Sequence, residues 1–304
     1  MTRSFASAVT LEDALAALGS GARPVAGGTD LVVGARQGKA SLPEAIVAID
    51  RIDVLKGIVG VDGGLRLAAL ATHDEIVANQ VIHERFSALA DASAIVGSHA
   101  TRAQGTIGGN VMNASPAMDT GGPLLCFDAS ATLRSEAGER AVPLGELWTG
   151  PGMTIADPRE LLVGIDLPAP EPMTGSAYVR LEYRRQMEIA VVGVTAVVTL
   201  DAGSVTHACI AITALAPTIR RVPEAEAALA GSDGGHEAIA AAARAAGAGS
   251  SPISDVRGSA EYRAAMAEVI ARRAIAAALA RARGERVPVP ASAARHRAIQ
   301  GATS

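Results

Sequence analysis

At 304 residues, with 49% hydrophobic but only 2% aromatic residues and a net charge of -4, the chain has room for two domains around an aliphatic core and gives no support for a nucleic-acid surface. Its two cysteines, Cys126 and Cys209, are too few for an iron–sulfur cluster or a structural zinc, which need about four ligands. Without a signal-like start or a run of about 18 apolar residues, the expectation is a reduced, cytoplasmic chain with no membrane span.

The first predicted element is a helix over residues 10–19, capped by Thr10 and carrying a Leu11, Leu15, Leu18 stripe. A strand at 23–26 then runs into Ala26-Gly27-Gly28-Thr29-Asp30-Leu31, and 31–37 reads as helix. This strand–glycine loop–helix order favours an anion. An apolar strand follows at 45–50, and the runs 57–61 and 65–69 flank Asp62-Gly63-Gly64 as a hairpin. Thr72 with Glu75 has the spacing of a capping box, and a second helix covers 86–95.

A second glycine segment then reads Thr106-Ile107-Gly108-Gly109-Asn110, with Ala114-Ser115-Pro116 and Asp119 close behind. Residues 128–134 and 139–143 form another hairpin, and 160–167 is a strand. The proline-rich stretch 168–172 marks a linker. Beyond it come strands near 176–182, 191–200 and 207–214, helices at 224–230 and 237–246, and a long helix over 259–283. In that helix Tyr262, Met266, Val269 and Ile270 have core-facing spacing. His73 and His99 have no second ligand at metal spacing and read as ordinary polar residues, so no metal site and no catalytic acid–base group is assigned.

No G-x-G-x-x-G follows a strand, which excludes a Rossmann dinucleotide site. Two glycine segments about 80 residues apart instead suggest two walls around one diphosphate-containing cofactor. With them the chain resembles the FAD-binding medium subunit of the molybdenum hydroxylases, the carbon monoxide dehydrogenase and xanthine dehydrogenase family. Residues 26–31 look like that family's first FAD loop and residues 102–119 like its second. Arg184 or Arg185 with Glu188-Ile189-Ala190, and Ser254-Asp255-Val256-Arg257-Gly258-Ser259 with Tyr262-Arg263, resemble two further signatures in the right order. Glu188 stands where the family more often has Asp, and Ser98-His99-Ala100-Thr101 replaces a commoner Pro-Gln stretch.

The resemblance implies an α+β chain. Residues 1–172 would be a two-part PCMH-type FAD domain, with a small parallel sheet in about 1–55 and a mixed or antiparallel sheet in 56–172. Residues 173–284 would be a smaller α+β C-terminal domain and 285–304 a tail. It implies FAD contacts from Ala26, Gly27, Gly28, Thr29, Asp30 and Leu31 on one side, and from Thr106, Ile107, Gly108, Gly109 and Asn110 on the other. Asp119 would reach a sugar hydroxyl near the adenosine half. The backbone at Val163 and the Arg180 side chain would lie near the isoalloxazine, where a cation stabilises negative charge on the reduced ring.

The implied function is electron transfer. Electrons come from a [2Fe–2S] cluster on a small partner subunit, which carries two, and leave for an external acceptor. A molybdenum–pterin centre sits on a large partner, in a dimer of heterotrimers. The rival readings are a self-sufficient FAD oxidoreductase, which the few aromatics and short C-terminal segment disfavour, and a cofactor-free assembly module, which the intact glycine segments disfavour.

Overall fold

The computed structural model describes residues 3–38, 40–184 and 186–292. Arg185 and the tail beyond Ser292 lie outside the described residues. The first layer is β1 (Ser4–Ser7), α1 (Leu11–Gly19), β2 (Arg23–Val25), α2 (Leu31–Arg36) and β3 (Ala45–Ala48), with a parallel sheet in the order β1-β3-β2. Thr10 caps α1 as its sequence indicates, its side chain accepting from the Asp13 amide at 3.1 Å. A 3-10 turn at Asp53–Leu55 leads out of this unit.

The middle of the chain contains β4 (Ile58–Val61) and β5 (Gly64–Ala68), then six short helices: α3 (His73–Ala78), α4 (Gln80–Arg85), α5 (Ser87–Ser93), α6 (His99–Gln104), α7 (Ile107–Met112) and α8 (Gly121–Cys126). It closes with β6 (Ser130–Ser135), β7 (Gly138–Pro143), α9 (Leu144–Leu147), a small β8 (Trp148–Gly150) and β9 (Met153–Thr154) pair, and β10 (Leu161–Leu167). The main sheet is antiparallel, ordered β4-β5-β10-β6-β7, and both expected hairpins are present. The capping box forms: the Glu75 amide donates to Thr72 Oγ1, and the Thr72 amide donates to Glu75 Oε2.

The last unit is a sheet of β11 (Thr174–Leu181), β12 (Val192–Asp201), β13 (Ser204–Thr213) and β14 (Arg220–Arg221) with α10 (Pro223–Leu229), α11 (His236–Ala248) and α12 (Ala260–Ala282). Period-2 alternation buries both of its faces. Tyr178, Val197, Cys209 and Ala211 join the core of the middle unit, while Ala177, Val179, Val198, Ile210 and Ile212 join a second core against the helices. That is why these strands read as nearly continuous apolar runs.

The long helix corrects one expectation. Tyr262 is exposed and Met266 and Val269 only half-buried, leaving Ile270 as the one of the four that is buried. The face on the sheet is instead Ala267, Ala271, Ala274, Ile275 and Ala278. A Cβ on Gly175 of β11 would lie 2.2 Å from the Ala278 carbonyl oxygen, so the helix backbone sits too close to the strand there for even an alanine.

A buried acid joins the last two units. Asp91 on α5 is fully buried and accepts from Arg281 of α12 at 2.6 and 3.0 Å, from the Tyr178 amide at 3.1 Å and from the Ala291 amide at 2.8 Å. Both cysteines are free and buried. Among the described residues no helix is long and apolar enough to cross a membrane.

Candidate functional site

The two glycine segments meet. A Cβ on Gly27 would lie 1.8 Å from the carbonyl oxygen of Gln104, so the first loop touches the end of α6 only because Gly27 lacks one. Gly105 completes the contact. A Cβ there would stand 3.5 Å from Thr29 Oγ1 and 3.4 Å from His73 Cδ2.

In the first segment the amides of Gly27, Gly28, Thr29, Asp30 and Leu31 donate to no acceptor among the described residues. Gly28 has φ +67, the left-handed conformation that turns successive N–H groups into one concavity. Ala26 packs against the first core below the loop, and Leu31 starts α2. Asp30 precedes that helix without a side-chain capping bond, and loss of hydration around it raises its pKa.

The second segment is built differently. It is not a loop but the first turn of α7, and its amides are engaged. Ile107 donates to Ala71 O at 2.9 Å, Gly108 to Ala69 O at 3.0 Å, and Gly109 to the Thr106 cap Oγ1 at 3.1 Å. Gly108 is buried because a Cβ there would fall 2.6 Å from Ala69 O. Gly109 faces outward: a Cβ on it would meet only Thr106 Oγ1, at 3.1 Å. Asn110 is half-buried, its Oδ1 accepting from Thr120 Oγ1 at 2.6 Å.

Asp119 and Arg180, which the resemblance assigns to opposite ends of the cofactor, are in direct contact. Arg180 Nη1 donates to Asp119 Oδ2 at 2.7 Å, and the Tyr178 hydroxyl donates to Asp119 Oδ1 at 2.7 Å. Arg180 Nε also donates to Glu182 Oε2 at 2.5 Å. The two side chains are thus one buried pair rather than two separate contacts, with Arg180 wholly enclosed. Burial raises the Asp119 pKa, opposed by Arg180 and the phenol; burial also pushes Tyr178 well up, keeping its hydroxyl a donor. The unit ties the second segment to β11, and the Ala214 amide adds a bond to Pro116 O at 2.8 Å.

Val163 lies at a β-bulge in β10, and its carbonyl accepts from the Ala69 amide at 3.1 Å. Its side chain is buried in the first core and lines a groove of about 500 Å³ with Val9, Leu11, Ile52, Leu55 and Arg66. Val163 thus stands one strand behind Gly108, beyond Ala69.

The two further signatures are structural in the described residues. Arg184 pairs with Glu188 at 3.0 Å on a loop where Tyr183, Met187 and Ile189 are exposed. Arg263, buried, bonds Asp255 at 2.6 Å and the carbonyls of Val191 and Ala214, fixing α12 to the sheet. Sequence reading missed His73. It is buried, its Nδ1 has no partner among the described residues, and its pKa is lowered to about 4 by burial and by the Arg102 cation. The signal available was its place directly after the Thr72 cap.

The family model for the FAD binding domain in molybdopterin dehydrogenase matches residues 2–170, and that for the CO dehydrogenase flavoprotein C-terminal domain matches residues 177–278. The carbon monoxide dehydrogenase medium chain of Hydrogenophaga pseudoflava is 33% identical over 279 residues, covering 92% of this chain and 96% of that one. The 6-hydroxypseudooxynicotine dehydrogenase complex subunit alpha of Paenarthrobacter nicotinovorans is 34% identical over 283 residues, covering 92% and 95%. Among solved structures, the Hydrogenophaga pseudoflava carbon monoxide dehydrogenase lacking its Mo-pyranopterin moiety superposes with a TM-score of 0.88 at 33% identity, over 92% of this chain and 98% of that one.

Proposed function

The chain belongs to the family of FAD-binding medium subunits of the molybdenum hydroxylases, and from that premise we propose that residues 26–31 hold the pyrophosphate of FAD against α7. The observation that carries this is the row of amides from Gly27 to Leu31, without an acceptor among the described residues and closed against Gln104–Gly105. A diphosphate needs such a set of converging donors, so the residues present fit the group. Thr29 adds a hydroxyl. Thr106 and Gly109 form the opposite wall, with Gly108 supporting it from behind and Ile107 in the core beneath. Asn110 offers its remaining amide donors, and Asp30 can accept from a sugar hydroxyl.

Asp119 with Arg180 holds that wall to β11, Arg180 buried behind it and Asp119 the member nearer the surface, while Val163 supports the flavin end through Ala69. Bound FAD supplies the redox chemistry; this chain binds it, orients it and sets the field around it. The assembly is a dimer of heterotrimers in the cytoplasm. A small subunit with two [2Fe–2S] clusters delivers electrons to it, and a large molybdenum–pterin subunit oxidises the substrate. The chain divides near residue 172, the FAD domain preceding the C-terminal domain.

The test is to express the chain alone and with its genomic neighbours, recording the visible spectrum and the substrate- and NADH-dependent reduction of a dye. Bound flavin in the chain, with substrate turnover only in the complex, is expected. No flavin in any preparation, or turnover by the isolated chain, would overturn the reading.

A further inference from the structure

We infer that Thr120 is a positioning residue for FAD, acting through Asn110; the inference rests on the reading that α7 forms a wall of the cofactor cleft. Thr120 stands directly before α8, where a threonine side chain usually accepts from one of the first helical amides. It makes no such bond. Its backbone is already helical, with φ -75 and ψ -17, and the third helical position is Pro123, which has no amide hydrogen. The hydroxyl crosses instead to the middle of α7, where Oγ1 donates to Asn110 Oδ1 at 2.6 Å.

That bond decides which end of the Asn110 side chain faces outward. Thr120 is fully buried, and its hydroxyl has no second acceptor among the described residues. A buried hydroxyl proton without an acceptor is costly, so Oδ1 is held at Thr120 and the amide is kept from turning round. Nδ2 is then the outward end. It has no partner among the described residues and is not enclosed, and it belongs to the residue next to Gly109, which faces outward. Two N–H donors thus stand ready for an oxygen of the cofactor. Turned the other way, the side chain would present a carbonyl oxygen, which repels a phosphate. The proton donated to Oδ1 also polarises the amide and strengthens its N–H groups as donors. Asp119, bonded to Arg180 and Tyr178, fixes the backbone from which Thr120 reaches across. The clamp behind the wall is therefore linked to its outer face through one hydroxyl and one amide.

The experiment measures FAD affinity of the full chain by quenching of flavin fluorescence, with thermal melts of the FAD-free chain alongside. Thr120→Val keeps the shape and removes the hydroxyl. It and Asn110→Ala are each expected to weaken FAD by about tenfold, the size of one lost hydrogen bond. In the Asn110→Ala background, Thr120→Val should change affinity by less than about twofold, because its effect passes through that amide. Thr120→Ser keeps the donor and should bind FAD within about twofold of the parent chain. Where Thr120→Val fails to fold, Thr120→Ser against Thr120→Ala, which lack the same methyl group, makes the same comparison.

Full affinity in Thr120→Val while Asn110→Ala is weakened, equal losses from Thr120→Val in both backgrounds, or Thr120→Ser no better than Thr120→Ala would each overturn the role of Thr120 alone. Full affinity in both Asn110→Ala and Gly109→Val would overturn α7 as a wall of the cleft.

Discussion

The two glycine segments look alike in sequence and do opposite things in the fold. In the first, glycine leaves backbone donors unused: the chain turns through a positive φ at Gly28, and the amides from Gly27 to Leu31 find no acceptor among the described residues. In the second, glycine permits close packing. The amides of Ile107, Gly108 and Gly109 are bound to Ala71, Ala69 and Thr106, and the segment is a fixed wall. Adjacent glycines therefore do not by themselves mean an anion loop. What decides is whether the neighbouring backbone already accepts the N–H groups.

The largest test of that contrast concerns the clamp that only the second segment has. Arg180→Leu leaves the buried Asp119 carboxylate without its cation and should cost about 3–5 kcal/mol in a denaturant melt. A loss under about 1 kcal/mol would mean the wall stands without its clamp.

Next comes the residue beneath the seam. His73 binds its proton at its ordinary value of 6.5 when unfolded but only near about 4 when folded. Between those values the unfolded chain holds more protons, so stability falls as pH falls, by about 3 kcal/mol across the window. The His73→Gln chain should lack that part of the slope in melts between pH 7 and about 4.

Gly27 and Gly109 separate packing from binding. Gly27→Ala drives a Cβ into Gln104 O, and about 3 kcal/mol of stability should go with it. Gly109→Ala meets only Thr106 Oγ1, so the melt should move by under about 1 kcal/mol, and Gly109→Val should cost FAD about a hundredfold in affinity with the fold retained. Equal effects on stability at the two positions would erase the distinction. The smallest change is Thr106→Ala, which removes the α7 cap and should cost about 1 kcal/mol.

Much of this fold was legible because its turns and caps are local chemistry. Asp62-Gly63 and Asp201-Ala202-Gly203 announce their hairpins, and Thr10, Thr72 and Ser259 cap the helices they precede. The short helices at 99–104, 107–112 and 121–126 were not legible. All three are too short to stand alone and the last two carry paired glycines, poor helix formers; these turns stand because Arg102, Ile107 and Leu124 are buried. Strand β1, with every side chain exposed, has no apolar alternation to reveal it and is defined by pairing with β3.

At the site, sequence located both segments but could not show which one keeps its amides free, since Ala69 and Ala71 lie almost 40 residues before their partners. The contact of Asp119 with Arg180 spans 61 residues, and no local pattern encodes it. The place of His73 needed the fold too: nothing near it in sequence foretells that its amide binds Gly105 and that its ring is buried beside that residue.

The bonds to Asp91 also set an order of construction. That carboxylate is made early in synthesis, yet it binds Arg281, 190 residues later, and the Ala291 amide, 200 residues later. While the ribosome is still translating, the middle unit holds an acid with no cation, and its apolar flank waits for Tyr178 and Cys209. The chain can finish this seam only when nearly all of it has left the exit tunnel. A nascent chain stalled after residue 172 would have both glycine segments and no closed body to hold them.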